Sequence, residues 1–307
     1  VYSLPLLACF LGLPAPEPAA LQLKDGDCVV LIGSALIERE QRYGYWEAAL
    51  TASFPGKSIR FRNLGWSGDT VFGEAQAGFG TVADGFRHLK EHVLSLKPTV
   101  IVVGYGTNEA FDGPAGLSRF TAGLNTLLDA LAPTKAQFIL LSPLKQEALG
   151  QPLPDPKAQN ENLRLYTQAI RDVAAKRGLR FVDLFDIARP GDPSVHLTND
   201  QVHPTESGYR LLTPALMHGL GLDSTQGLES ERSKKLRAAI VAKNWLYFHR
   251  WRPQNETYLF GFRKHEQGQN AVEIPKFDPL VAEAEKEITK LAIPVTHTYE
   301  PKREEKK

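Results

Sequence analysis

Between residues 27 and 220, short and almost wholly apolar runs alternate with longer amphipathic ones. That alternation constrains the fold more than any other feature of the chain. Asp27 to Ile32, Ser58 to Asn63, Thr99 to Gly104, Gln137 to Ser142 and Leu179 to Leu184 read as strands. A strand that is apolar on both faces needs cover on both, and parallel sheets obtain it from the helices that cross between their strands. The intervening segments supply such helices: Leu36 to Phe54, then 84–96, 117–131 and 158–177. In the third, Phe120, Leu124, Leu127, Leu128 and Leu131 share one face. The fourth ends before Gly178, and Thr205 is placed to cap a further helix. The pattern is that of an α/β fold with a parallel sheet. In such folds ligands lie in the crevice at the carboxyl ends of the strands.

Composition narrows the function classes. A chain of 307 residues with 42% hydrophobic and 23% charged residues can bury a full core. A net charge of +1 gives no basis for nucleic acid or an anionic membrane surface as partner. Of the two cysteines, Cys28 lies inside the first strand as a small core residue and Cys9 lies in the leader, so no disulfide framework or metal spacing follows. The apolar run Leu4 to Leu13, followed by Pro- and Ala-rich residues, is too short to span a bilayer. It reads as the remnant of a secretory signal within 1–22, with an unstructured terminus or an added strand as the alternatives. The expected location is therefore secreted or periplasmic. Leu6-Leu7-Ala8-Cys9 also resembles a bacterial lipobox, which would anchor the chain through Cys9; simple secretion ranks above it.

Residues 23–222 form the main domain in this reading, and 223–307 a helical, aromatic-rich extension. Ser230 to Arg250 reads as a helix, and a last helix places Val281, Ala284, Ile288 and Leu291 on one face. From the end of the first of these helices onward, Trp245, Tyr247, Phe248, Trp251, Tyr258, Phe260 and Phe262 lie among His249, Arg250, Arg252, Arg263, Lys264 and His265. Such a mixture suits sugar faces and hydroxyls. A large aromatic payload more often docks a segment onto its own domain, and that reading is preferred.

Four short blocks fall at the carboxyl ends of the strands: Gly33-Ser34-Ala35, Ser67-Gly68-Asp69-Thr70, Gly106-Thr107-Asn108, and Asp200 with His203. Asp200, three residues before His203, can hold the imidazole in one tautomer and stabilise its cation, which makes His203 a candidate general base. The plain alternative is a loop histidine beside a capping aspartate. Gly68 lets a backbone N–H approach a ligand and Asn108 offers an amide, so both are candidate donors to a developing oxyanion. Their plain alternatives are a tight turn and a cap. Asp69 reads as structural.

In this order the blocks resemble the SGNH (GDSL-type) hydrolase family over about residues 27–220. The resemblance implies a three-layer α/β/α sandwich with a flavodoxin-like, five-stranded parallel sheet. It gives the oxyanion roles to Gly68 and Asn108 and the acid–base pair to Asp200 and His203, and it implies no metal or organic cofactor. The first block departs: where the family has Gly-Asp-Ser, this chain has Gly33-Ser34-Ala35, and alanine is no nucleophile. Either Ser34 serves with the turn shifted by one residue, or Ser67 is recruited, or the site binds without cleaving. Ser34 stands first among the nucleophiles, and a helix N-cap is its structural alternative.

Two functions follow as expectations. One is a secreted hydrolase of carboxylic esters, O-acetyl groups of carbohydrates among them, using Ser34, His203, Asp200, Gly68 and Asn108. The other is a catalytically impaired protein of the same fold that binds carbohydrate or ester ligands. Small-molecule or carbohydrate esters are the expected partners in both, with the oligomeric state open. A third expectation is a domain that works beside a partner protein, in which case the aromatic extension would expose a sizeable apolar patch.

Overall fold

The computed structural model describes residues 19–187, 195–222 and 229–293. The apolar run Leu4 to Leu13 with Cys9, read above as the remnant of a signal, most of the link before Glu229 and the charged end Lys302–Lys307 lie outside the described residues. Five strands, β1 (Cys28–Gly33), β2 (Arg60–Asn63), β3 (Val100–Gly104), β4 (Gln137–Leu141) and β5 (Arg180–Val182), form one sheet in the order β2-β1-β3-β4-β5. Every pairing is parallel. This is the flavodoxin-like order, and the chain reverses its direction of travel across the sheet between β1 and β3, where such folds open a crevice. Gly33 pairs with Gly104 at that point. A Cβ on Gly33 would lie 2.4 Å from the Gly104 carbonyl oxygen, so no larger residue fits.

The helices are α1 (Ala35–Glu38), α2 (Glu40–Tyr43), α3 (Tyr45–Ser53), α4 (Val82–Ser95), α5 (Gly113–Leu131), α6 (Lys157–Arg177), α7 (Glu206–Gly219), α8 (Glu231–Trp251), α9 (Glu256–Leu259), α10 (Lys264–Gln267) and α11 (Phe277–Ala292). Alternate strand residues point to opposite faces. Cys28, Val30 and Ile32 meet Leu89 of α4, Leu124 and Leu127 of α5 and Leu163 of α6. Val29 and Leu31 meet Trp46 and Leu50 of α3 and Leu212 and Leu216 of α7. The result is the three-layer sandwich. Gly178 closes α6 in the left-handed conformation, and Thr205 caps α7 by accepting a hydrogen bond from Gly208 N–H at 2.8 Å.

The long helix expected over Leu36 to Phe54 is three short ones. One break falls at Arg39 and the other at Gly44, whose φ of +66° is left-handed and where a Cβ would stand 3.0 Å from Ile240 of α8. Local periodicity suggests one helix; the approach of α8, 196 residues further along, requires the turn.

The C-terminal helices pack on the sandwich. Tyr247 and Trp251 of α8 and Val281 of α11 belong to the same buried cluster as β1, α4 and α5. Ile240 and Ile288 close on Ala48 of α3. Trp245, Phe260 and Phe262 stay exposed, the last edge-on to Phe79 at 5.4 Å between ring centroids. Among the described residues no helix is long and apolar enough to cross a membrane.

Candidate active site

The four blocks lie in loops at the carboxyl edge of the sheet, and hydrogen bonds join the loop of the second to the first and to the third. Asp200 and His203 lie in the loop that leads into α7. Thr198 and Pro204 bridge its base, and Asn199 N–H donates to the His203 carbonyl at 3.0 Å. Gln201 adopts φ +73°, a left-handed turn that brings the chain back on itself. Asp200 Oδ1 then accepts the backbone N–H groups of Val202 (3.2 Å) and His203 (2.8 Å), which leaves Oδ2 2.7 Å from His203 Nδ1. Burial opposes the Asp200 carboxylate, but hydrogen bonds from the His203 backbone and ring and from the Val202 backbone prevail and hold its pKa below the usual range. An anionic Asp200 assigns the proton to Nδ1 and leaves Nε2 as the free base.

The loop does not stand unsupported. The buried carboxylate of Glu147 accepts Leu197 N–H (3.0 Å), Thr198 N–H (2.7 Å) and the Thr198 hydroxyl (2.7 Å). The Gln201 amide donates to the Glu147 and Pro154 carbonyls, both at 2.9 Å. The loop after β4 thus holds the histidine loop.

The donors come from the loops after β2 and β3. Gly68 has φ +84° and nothing within 4 Å of a notional Cβ, and its N–H meets no protein acceptor among the described residues. Asn108 Nδ2 donates to the Asp69 carbonyl at 2.7 Å, which points one amide hydrogen at the neighbouring loop and leaves the second unassigned. Its side chain does not cap the following turn. Asp69 is fully buried and accepts Ala75 N–H (3.1 Å), Gln76 Nε2 (3.0 Å) and the Tyr105 hydroxyl (3.0 Å), a set that builds the loop. Glu109 ties the two loops together, with Val71 N–H on one oxygen and Gly106 N–H on the other, both at 2.9 Å.

Burial, with the nearby Asp69 charge adding to it against the backbone hydrogen bonds, raises the Glu109 pKa from 4.5 to about 7. A raised carboxyl pKa means that the folded state keeps a proton that the unfolded chain releases. The associated stability is complete below about pH 4.5 and is lost as pH rises through about 7. Urea unfolding of the protein and of Glu109→Gln from pH 4.5 to 8 is expected to show a shallower decline in the variant. Parallel curves would contradict this assignment.

The first block is arranged differently from the other three. Ser34 is 2% exposed and stands at the N-terminus of α1, yet its hydroxyl does not cap the helix. Ala35 behind it is buried. Among the described residues no hydrogen bond joins His203 Nε2 to Ser34 or to the exposed Ser67. One further group faces this region: Glu38, one turn beyond Ala35, accepts the Ser67 N–H. A cavity of about 710 Å³ between β2, α4 and the C-terminal helices, lined by Arg62, His92, Tyr247, Trp251 and Glu285, includes none of the four blocks.

Glu38, Glu109 and Glu147 escape a motif reading. Glu109 at least adjoins Asn108 in the chain. Glu147 acts on residues 50 and 51 positions away, and nothing local marks it.

The sequence pattern of the GDSL-like lipase/acylhydrolase family matches residues 29–211. No curated protein matches the chain. Among solved structures, an acetylxylan esterase from Geobacillus stearothermophilus superposes with a TM-score of 0.52 at 22% identity, over 66% of this chain and 98% of that one. A candidate GDSL-like lipase from Parabacteroides merdae gives 0.54 at 16% identity, over 66% of this chain and all of its own length (100%). At these identities the likeness is one of fold.

Proposed function

The chain belongs to the GDSL-like lipase/acylhydrolase family, and from that premise we propose that it hydrolyses carboxylic esters, with O-acetyl groups on carbohydrate as the substrate class. The observation that carries the reading is the Asp200–His203 pair, with Nδ1 and Oδ2 at 2.7 Å and the carboxylate held by two backbone N–H groups. In the proposed reaction Ser34 Oγ attacks the ester carbonyl as its proton passes to His203 Nε2. Gly68 N–H and the Asn108 amide receive the oxyanion. Collapse returns the proton to the leaving alcohol, and water repeats the sequence on the acyl-enzyme to release the acid. For Ser34 to act, its hydroxyl must turn toward Nε2 when substrate enters. The acetylxylan esterase neighbour favours acetylated carbohydrate as the substrate class.

A second reading is binding without cleavage. Ala35 stands where the family has serine, and no serine hydroxyl is bonded to His203 among the described residues. In the Geobacillus esterase a serine-to-alanine change makes a catalytic mutant.

Release of alcohol from a short-chain aryl acetate and of acetate from acetylated xylan separates the readings. The expected result is activity in the protein, its loss in His203→Ala and Ser34→Ala, and its persistence in Ser67→Ala. Loss in Ser67→Ala instead would name Ser67 as nucleophile. Background rates on both substrates, with saturable binding of the xylan, would establish the binding reading.

A further inference from the structure

The family match ends at residue 211, yet the C-terminal extension reaches the oxyanion loop, and Arg252 brings a charge to it. Arg252 follows the last turn of α8, where its N–H donates to the Phe248 carbonyl at 2.9 Å. The neighbouring Trp251 and Tyr247 are buried in the main core, so the backbone at this point is anchored. The Arg252 guanidinium lies 3.4 Å from the ring centroid of Trp66, and Nη1 donates to Glu38 Oε1 at 3.3 Å. Trp251 meets the same Trp66 ring edge-on at 5.9 Å.

Glu38 links this cation to the site. Its second oxygen accepts the Ser67 N–H, the residue directly before Gly68. The same loop is held from below. Trp66 N–H donates to the Gly33 carbonyl at 2.9 Å, Asn63 Oδ1 accepts Gly65 N–H at 2.9 Å, and a Cβ on Gly65 would strike the Glu38 backbone at 2.3 Å. Above, Trp251 and the Arg252 stack hold the Trp66 ring, the Trp66 carbonyl accepts Asp69 N–H at 2.9 Å, and Glu38 takes the Ser67 N–H. Gly68 follows at once with an open, left-handed backbone and no side chain to set its direction.

We propose that Arg252 is a positioning residue for the oxyanion loop. By stacking on Trp66 and orienting the Glu38 carboxylate onto Ser67 N–H, it aims the Gly68 N–H, so that the C-terminal extension completes a site the family domain leaves unfinished. The catalytic consequence rests on the hydrolase reading above; the positioning itself does not. A planar guanidinium is needed for both contacts at once, and lysine supplies only the charge.

The test compares Arg252→Ala, Arg252→Lys, Glu38→Gln and the double variant Arg252→Ala/Glu38→Gln. Amide exchange at Ser67 and Gly68 is read by NMR beside steady-state hydrolysis of the aryl acetate and the thermal midpoint. Ser67 exchange is expected to quicken by about tenfold or more in Arg252→Ala and Glu38→Gln. For hydrolysis, kcat should fall by about tenfold to a hundredfold with KM little changed, because a misaimed donor is felt in the transition state. Arg252→Lys should recover part of both, and the double variant should be no worse than the worse single one, since the two residues act in series. Unchanged Ser67 exchange in Arg252→Ala, or fully additive losses in the double variant, would overturn the proposal. Should Arg252→Ala fail to fold, Arg252→Lys and Glu38→Gln carry the comparison. If the unmodified protein turns over no ester, the hydrolase reading is what fails, and the Ser67 exchange rates decide the positioning on their own.

Discussion

Asp200→Asn is expected to lower kcat for ester hydrolysis by about 10⁴-fold while leaving the fold in place, on the precedent of tautomer loss in a histidine–aspartate pair. The reason is local. Asp200 Oδ1 accepts two backbone N–H groups and Oδ2 faces Nδ1 of His203. In asparagine the amide oxygen would keep the backbone bonds and the NH2 group would turn toward the ring. Nδ1 must then accept, the ring proton moves to Nε2, and the base that should take the nucleophile's proton already holds one. The side chain is 46% exposed, so stability should change little near neutral pH. A depressed carboxylate pKa stabilises the fold above the unfolded value of about 3.8 and loses that effect as pH falls through the folded value. The variant should therefore lose part of the acid sensitivity of the parent. Steady-state kinetics check the rate, and the ¹⁵N shifts of the His203 ring check the tautomer whether or not the protein turns over. A ring that keeps its proton on Nδ1 in Asp200→Asn would sink the argument.

Lys243→Ala is expected to destabilise the protein by about 3–5 kcal/mol, the cost of leaving a buried charge without its partner. Lys243 is 0% exposed, and its ammonium donates to Glu47 (2.8 Å to one oxygen, 3.0 Å to the other), to Asn244 Oδ1 at 2.7 Å and to the Phe61 carbonyl at 3.3 Å. Here the extension brings a fully buried charge into the sandwich. Without it, Glu47 faces an apolar interior with Glu40 as its neighbour. Burial already raises the pKa of Glu47 even with Lys243 in place, and burial together with Glu47 raises Glu40 to about 7. In Lys243→Ala the carboxyl groups should take up a proton on folding, so the variant should recover stability as pH is lowered from 8 toward 5. Pairing Lys243→Met with Glu47→Leu should return much of the loss, because well-packed apolar replacements of a buried pair are often neutral. Urea unfolding of the single and double variants measures both. A loss below about 1 kcal/mol in the single variant would mean that water reaches Glu47 and that the extension is less firmly seated than its contacts imply.

Much of the candidate site was legible because its hydrogen bonds are local. Asp200 and His203 are three residues apart, and the turn that joins them is closed by the aspartate's own hydrogen bonds to the next residues. The spacing alone therefore carries the pairing. Gly68 and Asn108 are readable for another reason: each lies in the loop that follows a strand, and strand ends of a parallel sheet share one edge. What holds these residues in place is not local. Glu147, Glu109 and Glu38 are acidic residues with ordinary neighbours in the chain. Each takes at least one donor from a loop that follows a different strand. Ser34 shows the opposite limit. Sequence offered it as nucleophile or cap; it is buried, it caps nothing, and its bond to His203 is absent among the described residues.

The sequence by itself determined the layering, because short, mostly apolar runs that alternate with amphipathic helices bury both their faces in a parallel sheet covered on each side. It also determined the Asp200–His203 pair and the departure at Ala35, since these are matters of residue identity and short spacing. Tertiary structure alone decided where the extension goes and what it does there. Lys243 meets Glu47 across 196 positions and Arg252 meets Glu38 across 214. Contacts at that separation leave no periodicity or motif in the chain. They are selected by packing, which brings α8 against α2 and α3 and turns a break at Gly44 into room for it.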